Sequence, residues 1–451
     1  MFAWVFILAA VLVGGVLGWK PALARYYVYK LETGADAAAD QKLRKLGPAA
    51  IPVLVGAIGS GRKPEAEPEL SSILRTFGDP GEKALLAAYH GEDRDMVRRA
   101  RLAWALRDFK TENAHRAYLH AALDERLALH RALATLSDRP IVAALWALAA
   151  RQEDDGRWSA PRWGAQGATD VEVTALALLA FLSFGDTPES GTYSHEVGRA
   201  VDFLMRAQKA DGLLGSGSMR EHALAGTALA GACEAGGRAN APLAAAQRAI
   251  MYTGSRQRSY SGWADVAGQA PDAFTTALCV MQLKTARISG LRVDGLYFEG
   301  AVRYLETLTI TDEGSLNRLL IRPSSGKQPN VRSLACGIVV RRLLGFSQDD
   351  PQLARLAAEI ANRTGEFMAD PWAGYMAKVA AFGCGGDFWQ TWCAAERDAL
   401  PAAQNCFGVD YGLWPPDSEE SRRLGLAGNT ALRALELDLR YKGYIPLFKR
   451  R

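Results

Sequence analysis

Apolar residues run along most of this chain in blocks separated by short polar turns. From residue 139 onward two kinds of block alternate. One kind is amphipathic: Val197, Val201, Leu204 and Met205 fall on one helical face, with Arg199, Asp202 and Arg206 off it. The other is small and apolar nearly all round, as in Thr174-Ala175-Leu176-Ala177-Leu178-Leu179-Ala180 and Ala223-Leu224-Ala225-Gly226-Thr227-Ala228-Leu229-Ala230. That second pattern is the pattern of a buried helix. The alternation predicts outer helices over 139–152, 195–208, 242–256, 296–308, 351–363 and 387–403. It predicts inner helices over 170–184, 221–235, 272–287, 331–344, 371–383 and 426–440. Six buried helices would then lie inside six amphipathic ones.

The turns between blocks repeat as well. Gln152-Glu153-Asp154-Asp155-Gly156-Arg157-Trp158 stands between two apolar runs, and Asp-Asp-Gly is turn chemistry. Gln208-Lys209-Ala210-Asp211-Gly212-Leu213-Leu214 and Gln257-Arg258-Ser259-Tyr260-Ser261-Gly262-Trp263 repeat the layout, at spacings of 56 and 49 residues. A period near fifty signals a repeat architecture. Asp312-Glu313-Gly314-Ser315-Leu316 and Gly412-Leu413-Trp414 keep fragments of it. A Gln amide can tie helix-end backbone groups that lack partners. A Trp adds a large apolar area and one N–H donor. Gln152, Trp158, Gln257 and Trp263 are therefore expected to staple neighbouring hairpins.

On these residues, together with Asp170-Val171-Glu172-Val173-Thr174-Ala175-Leu176 and its echo at Asp272-Ala273-Phe274-Thr275-Thr276, the region resembles the α/α-toroid of the terpenoid cyclase and protein prenyltransferase superfamily. The stretch before it resembles HEAT-type repeats. Leu46-Gly47-Pro48 ends one helix and opens the next, and Phe77-Gly78-Asp79-Pro80 repeats the punctuation 31 residues later. The expected fold is all-α: HEAT-like helical repeats over 35–138, an (α/α)6 toroid over 139–440 and a basic tail over 441–451. One N-terminal transmembrane helix would precede them within 1–34. The whole is also similar to a bacterial set in which such a toroid follows a membrane anchor and ends in a Tyr- and basic-rich tail.

The membrane expectation rests on Phe2 to Trp19, 18 residues without a charge. A cleaved signal peptide remains open, because Ala22-Leu23-Ala24 looks like a cleavage site. The lack of positive charge before the span favours an uncleaved anchor in the bacterial inner membrane. Lys20, Arg25, Lys30, Lys42, Arg44 and Lys45 follow the span and place the body on the cytoplasmic side. The even cysteine count, six, keeps a disulfide-bearing periplasmic body open.

Charge and motifs narrow the chemistry. A net charge of +4 over 451 residues argues against a nucleic-acid partner. No Cys-x-x-Cys pair occurs, and His90, His115, His120 and His130 do not form a metal-ligand pattern. No metal or cofactor is called for. The Asp-x-Asp-Asp of squalene-type cyclases is absent, since Gln152 and Ser347 stand where the first Asp would be. The Asp-x-Cys pair of zinc prenyltransferases is absent too. Cys384, in Gly383-Cys384-Gly385-Gly386, reads as a helix end.

One chemical feature remains. In such a toroid the inner helices run parallel and their N-termini, each partly positive, gather at one mouth. Asp170, Asp272 and Asp370 stand where N-caps are expected, and Glu221 and His222 open the second inner helix. With Trp163 just before, these six residues form the candidate ligand-binding set over an apolar cavity. Asp170, His222 and Asp272 are the candidate catalytic groups. The expected function is a membrane-anchored binding or scaffold protein that contacts membrane proteins or an apolar lipid or isoprenoid. The alternative is a divergent terpene cyclase or prenyltransferase-type enzyme acting on an isoprenoid.

Overall fold

The computed structural model describes residues 19–441, except 35, 37, 61, 64–65, 93–94, 107–108, 110, 112, 115–116, 118–138, 236–239, 259–260, 313–314 and 406–409. The chain divides into two compact units, Met1–Leu136 and Ser137–Arg451.

In the first unit the helices are α1 (Trp19–Glu32), α2 (Ala39–Leu46), α3 (Ile51–Ser60), α4 (Glu67–Arg75), α5 (Asp79–His90) and α6 (Met96–Leu106). Gly47 ends α2 with φ 68°, and Pro48 lies in a 3-10 turn that runs into α3. Gly78, at φ 60°, precedes α5, whose first turn holds Pro80. Helix α3 is apolar nearly throughout, so it is the central one. It packs against α1, α4, α5 and α6, burying Ile51, Leu54, Val55 and Ile58 among Leu70, Ile73, Leu85, Leu102 and Leu106. The buried pair Arg101–Glu67 ties α6 to α4.

The expected placement as a single-pass inner-membrane protein has to be corrected. Among the described residues no helix is long and apolar enough to cross a membrane. The apolar stretch that carried the expectation lies, apart from Trp19, outside the described residues, as do His115, His120 and His130.

In the second unit the outer helices are α7 (Arg139–Ala149), α9 (Ser194–Arg206), α11 (Asn240–Arg256), α13 (Leu296–Leu308), α15 (Pro351–Ala361) and α18 (Gly386–Ala403). The inner ones are α8 (Asp170–Phe184), α10 (Met219–Ala235), α12 (Ala273–Ile288), α14 (Val331–Leu343), α17 (Pro371–Cys384) and α19 (Glu419–Tyr441). A short α16 (Thr364–Ala369) precedes α17. Along the inner set each helix packs on the next, and α19 packs back on α8. Each outer helix lies against two neighbouring inner ones. Layer follows composition: 11 of the 15 residues of α8 are buried, whereas in α9 the buried residues are confined to one face.

The Gln turns join the layers. Gln152 Nε2 donates to its own turn at Gly156 O (2.9 Å) and to Glu196 O of the next outer helix (2.9 Å). Gln208 bridges Gly212 O and Ala245 O, and Gln257 bridges Ser261 O and Tyr297 O. Gln404, which the sequence pattern did not single out, bridges Gly412 O (2.8 Å) and Pro140 O (2.7 Å). The last turn thereby clasps the first outer helix, 264 residues away. The indole N–H of Trp158, Trp263 and Trp414 donates to Leu148 O, Thr253 O and Leu400 O. Glycine is required in the turn on two counts. Gly156, Gly212 and Gly412 have φ of 92°, 96° and 83°. A Cβ at Gly156 would also stand 2.1 Å from Arg199 O.

Between α13 and α14 the repeat breaks. Asp312, Ser315 and Leu316 of the expected worn turn lie in an antiparallel hairpin, β1 (Thr309–Asp312) with β2 (Ser315–Ile321), pairing Thr309 with Ile321, while its Glu313 and Gly314 lie outside the described residues. Thr309-Ile310-Thr311 and Leu319-Leu320-Ile321 are rich in β-branched residues, which suit a pleated surface. Fully buried Ile321 seats against Gly337 of α14, where a Cβ would collide with its Cδ1. The all-α expectation thus holds for the described residues except for this hairpin.

Gln404→Ala removes both donors of the closing clasp and leaves two carbonyls without that partner. The expected loss of stability is about 1–3 kcal/mol, read as a lowered midpoint in urea unfolding of the full chain.

Candidate functional site

The first turns of the inner helices are bound to one another through their side chains. Asp272 caps α12, accepting from Thr275 N (2.9 Å), and Asp370 caps α17, accepting from Trp372 N and Ala373 N. Arg220, near the start of α10, reaches Asp272 (3.3 Å) and Thr275 Oγ1 (2.9 Å). Arg332, near the start of α14, reaches Asp370 (2.6 Å) and Glu420 of α19 (3.2 Å). Arg423 of α19 donates two parallel bonds to Glu172 of α8 (2.6 and 2.9 Å) and one to Glu420. Thr169 caps α8 and donates to Glu221 of α10. The N-terminal ends thus form one charged collar.

Burial alone would weaken the charge on Arg332 and Arg423. Their carboxylate partners outweigh it and hold both guanidinium pKa values above the ordinary value. The partners are Asp370 and Glu420 for Arg332, and Glu172 and Glu420 for Arg423.

An aromatic layer lies at the collar. Arg220 and Arg332 both stand over the ring of Phe274, 5.1 and 4.8 Å from its centroid. Phe274 of α12 meets Trp372 of α17 edge to face at 5.2 Å, although α14 separates those helices in the packing order. On the α14–α17–α19 side a cavity of about 490 Å³ opens, lined by Gln166, Arg332, Asp370, Glu419, Glu420 and Arg423 among others. Gln166 is brought there by a loop laid across the break in α19. Gly425, at φ 70°, lets Leu426 N donate to Trp163 O, while Gln166 N and Ala168 N donate to Arg422 O and Arg423 O.

The predicted set is brought together only in part. Asp272 and Asp370 belong to the collar. Asp170 is not the cap of α8, because Thr169 is. Its carboxylate accepts instead from Ala160 N (2.7 Å) and faces Arg157 (3.4 Å). Buried Glu221 folds back on its own loop, accepting from Ser216 N and Oγ, and Gly215 leaves room for it. Trp163 carries Arg151 and Arg162 against its ring and is not among the cavity-lining residues.

His222 is not among the bonded residues of the collar. Its Nδ1 accepts from Leu214 N (3.0 Å), and its Nε2 lies 3.0 Å from Thr253 Oγ1 and 3.1 Å from Ala249 O. In the other turns the residue in this place is a threonine. Thr174, Thr276 and Thr430 accept from the backbone N–H of Trp158, Trp263 and Trp414. His222 therefore stands in the threonine position of its repeat. Fully buried and with both nitrogens engaged, it ties its turn to α11.

The sequence reading missed Arg220, Arg332, Glu420 and Arg423. The usable signal was positional: Arg220 and Arg332 are each the second residue of an inner helix.

No family model matches the chain, and no curated protein matches it. Among solved structures the chain is similar to an alpha-amylase from Clostridium perfringens, at 10% identity and a TM-score of 0.47. That match spans 68% of this chain and 98% of the other.

Burial lowers the His222 pKa from 6.5 to about 4. Between those values the unfolded chain binds more protons than the native one. Stability should therefore fall as pH drops from 6.5 towards 4, by roughly 3 kcal/mol from this residue. His222→Thr, which restores the repeat's own residue, should flatten that part of the stability–pH profile measured by denaturant titration.

Proposed function

We propose that this protein is a non-catalytic binding module. The second unit is read as an (α/α)6 toroid of the terpenoid cyclase and prenyltransferase kind, and the first as HEAT-like repeats. The cyclic packing of the inner helices, with Gln404 clasping the first outer helix, supports the toroid. The Gly–Pro punctuation and the packing of helices around α3 support the repeats. Fold alone does not fix activity.

The observation that carries the functional reading is the collar with aromatic rings across it. An apolar chain entering at this mouth would have to part Phe274 from Trp372 and unseat Arg220 and Arg332. A polar segment lying on the mouth would not. The candidate catalytic groups are engaged in capping or stapling: Asp272 by α12 and Arg220, Asp170 by Ala160 N, and His222 through both nitrogens.

The cavity is lined by three carboxylates, Asp370, Glu419 and Glu420, against two guanidiniums, Arg332 and Arg423. That excess suits a partner segment bearing a cationic side chain, which would share Glu420 and take up Glu419 at the exposed rim.

A photocrosslinking residue at position 419, in the full-length protein expressed in its native host, should give one discrete protein adduct. Glu420→Ala in the same background should weaken it severalfold, and the probe at exposed position 251 should give none. Failure to form an adduct, together with an isoprenoid bound at one equivalent in lipid extracts, would overturn the reading in favour of a luminal ligand.

A further inference from the structure

Away from the mouth, α17 and α18 share a buried amine. Lys378 is fully buried. Its ammonium donates to the equally buried Glu396 of α18 and stands over the ring of Trp389, 4.7 Å from the centroid. Its Nζ also lies 3.5 Å from Sγ of Cys393, one helical turn from Glu396. Cys393, unlike Cys233, Cys279 and Cys336, is only partly buried. A burial this complete usually calls for a paired charge, and Glu396 supplies one. The Cys393 thiol stands beside the same amine.

We propose that Lys378 and Cys393 form an oxidative modification site, in which peroxide closes a covalent nitrogen–sulfur bond between α17 and α18. Peroxide first oxidises the thiol to a sulfenic acid and is itself reduced to water, the oxidation to which partly exposed cysteines are open. Glu396 then takes the proton that the Lys378 ammonium must shed. The amine lone pair forms the bond to sulfur as hydroxide departs, and the hydroxide leaves as water with the second amine proton. The products are a sulfenamide, a protonated Glu396 and water, with one thiol and one amine consumed per peroxide. The geometry sets the Lys378 amine of α17 against a single turn of α18, the one that carries Cys393 and Glu396. The sequence gap of 15 residues between Lys378 and Cys393 is bridged by the tight α17–α18 corner at Gly385, φ 70°.

The test uses the full-length protein, reduced, exchanged out of reductant and exposed to hydrogen peroxide. The expected product is lighter than the reduced protein by two hydrogens. Trypsin no longer cuts after Lys378, so Lys378 and Cys393 stay in one peptide, Thr364–Arg397, which carries the loss of two hydrogens. Dithiothreitol reverses the change. Cys393→Ser, at a partly exposed position, should keep the fold and lose the product. Recovery of Cys393 as sulfinic or sulfonic acid, with Lys378 still cut by trypsin, would overturn the proposal. So would a thiol that stays reduced under peroxide while Cys384 reacts.

Discussion

The second unit depends on one primary amide used twice. In each regular turn a Gln gives one N–H to a carbonyl of its own turn and the other to a carbonyl in the N-terminal part of the neighbouring outer helix. One group therefore fixes a local bend and a long-range approach together. Neither half is large alone, since a net hydrogen bond contributes about 1 kcal/mol. The consequences for geometry are larger. The clasp draws the neighbouring helix so close that a glycine is needed where its backbone passes: Gly156 against Arg199 O, Gly212 against Arg248 O and Gly412 against Ala143 O. The Trp or Leu that follows is then held by its backbone N–H on a Thr or His of the inner helix. Turn, outer helix and inner helix are locked in one register.

Much of this was legible because the two layers differ in composition. An inner helix touched on every side tolerates little but small and apolar residues, and an outer one needs a single face, so the alternation was visible without a structure. Gln404 was hidden by length. In the three regular turns the Gln and the carbonyl it closes on are four residues apart, but Gln404 and Gly412 are eight apart. The bonds of His222 were hidden because a sequence shows the residue type and not its partners. A rare histidine at a helix start does not announce that its neighbours are a backbone N–H and Thr253. The hairpin was missed because Thr309–Asp312 directly continues α13, with no residue between them to mark the change.

The collar was half legible for a related reason. A capping Asp announces itself by position, and Asp272 and Asp370 do cap. An arginine on a helix's first turn announces nothing, because its reach is long and its partner lies a repeat or more away. Arg332 finds Asp370 38 residues on and Glu420 88 residues on. Only the closure of the inner helices brings those carboxylates to one place.

The repeat is regular where the chain has only to hold together and irregular beside the cavity. Gln turns lead into α8, α10, α12 and α19. The helices α14 and α17 are instead entered through the hairpin and through α16, and both contribute to the cavity, through Arg332 and Asp370. The ion pairs there do little for stability. Half-exposed pairs contribute at most about 1 kcal/mol, and Arg423 is a third exposed. Holding Arg332 between two carboxylates also removes it from water, which works against folding. The collar is kept charged at that cost, with the rings of Phe274 and Trp372 packed beside it.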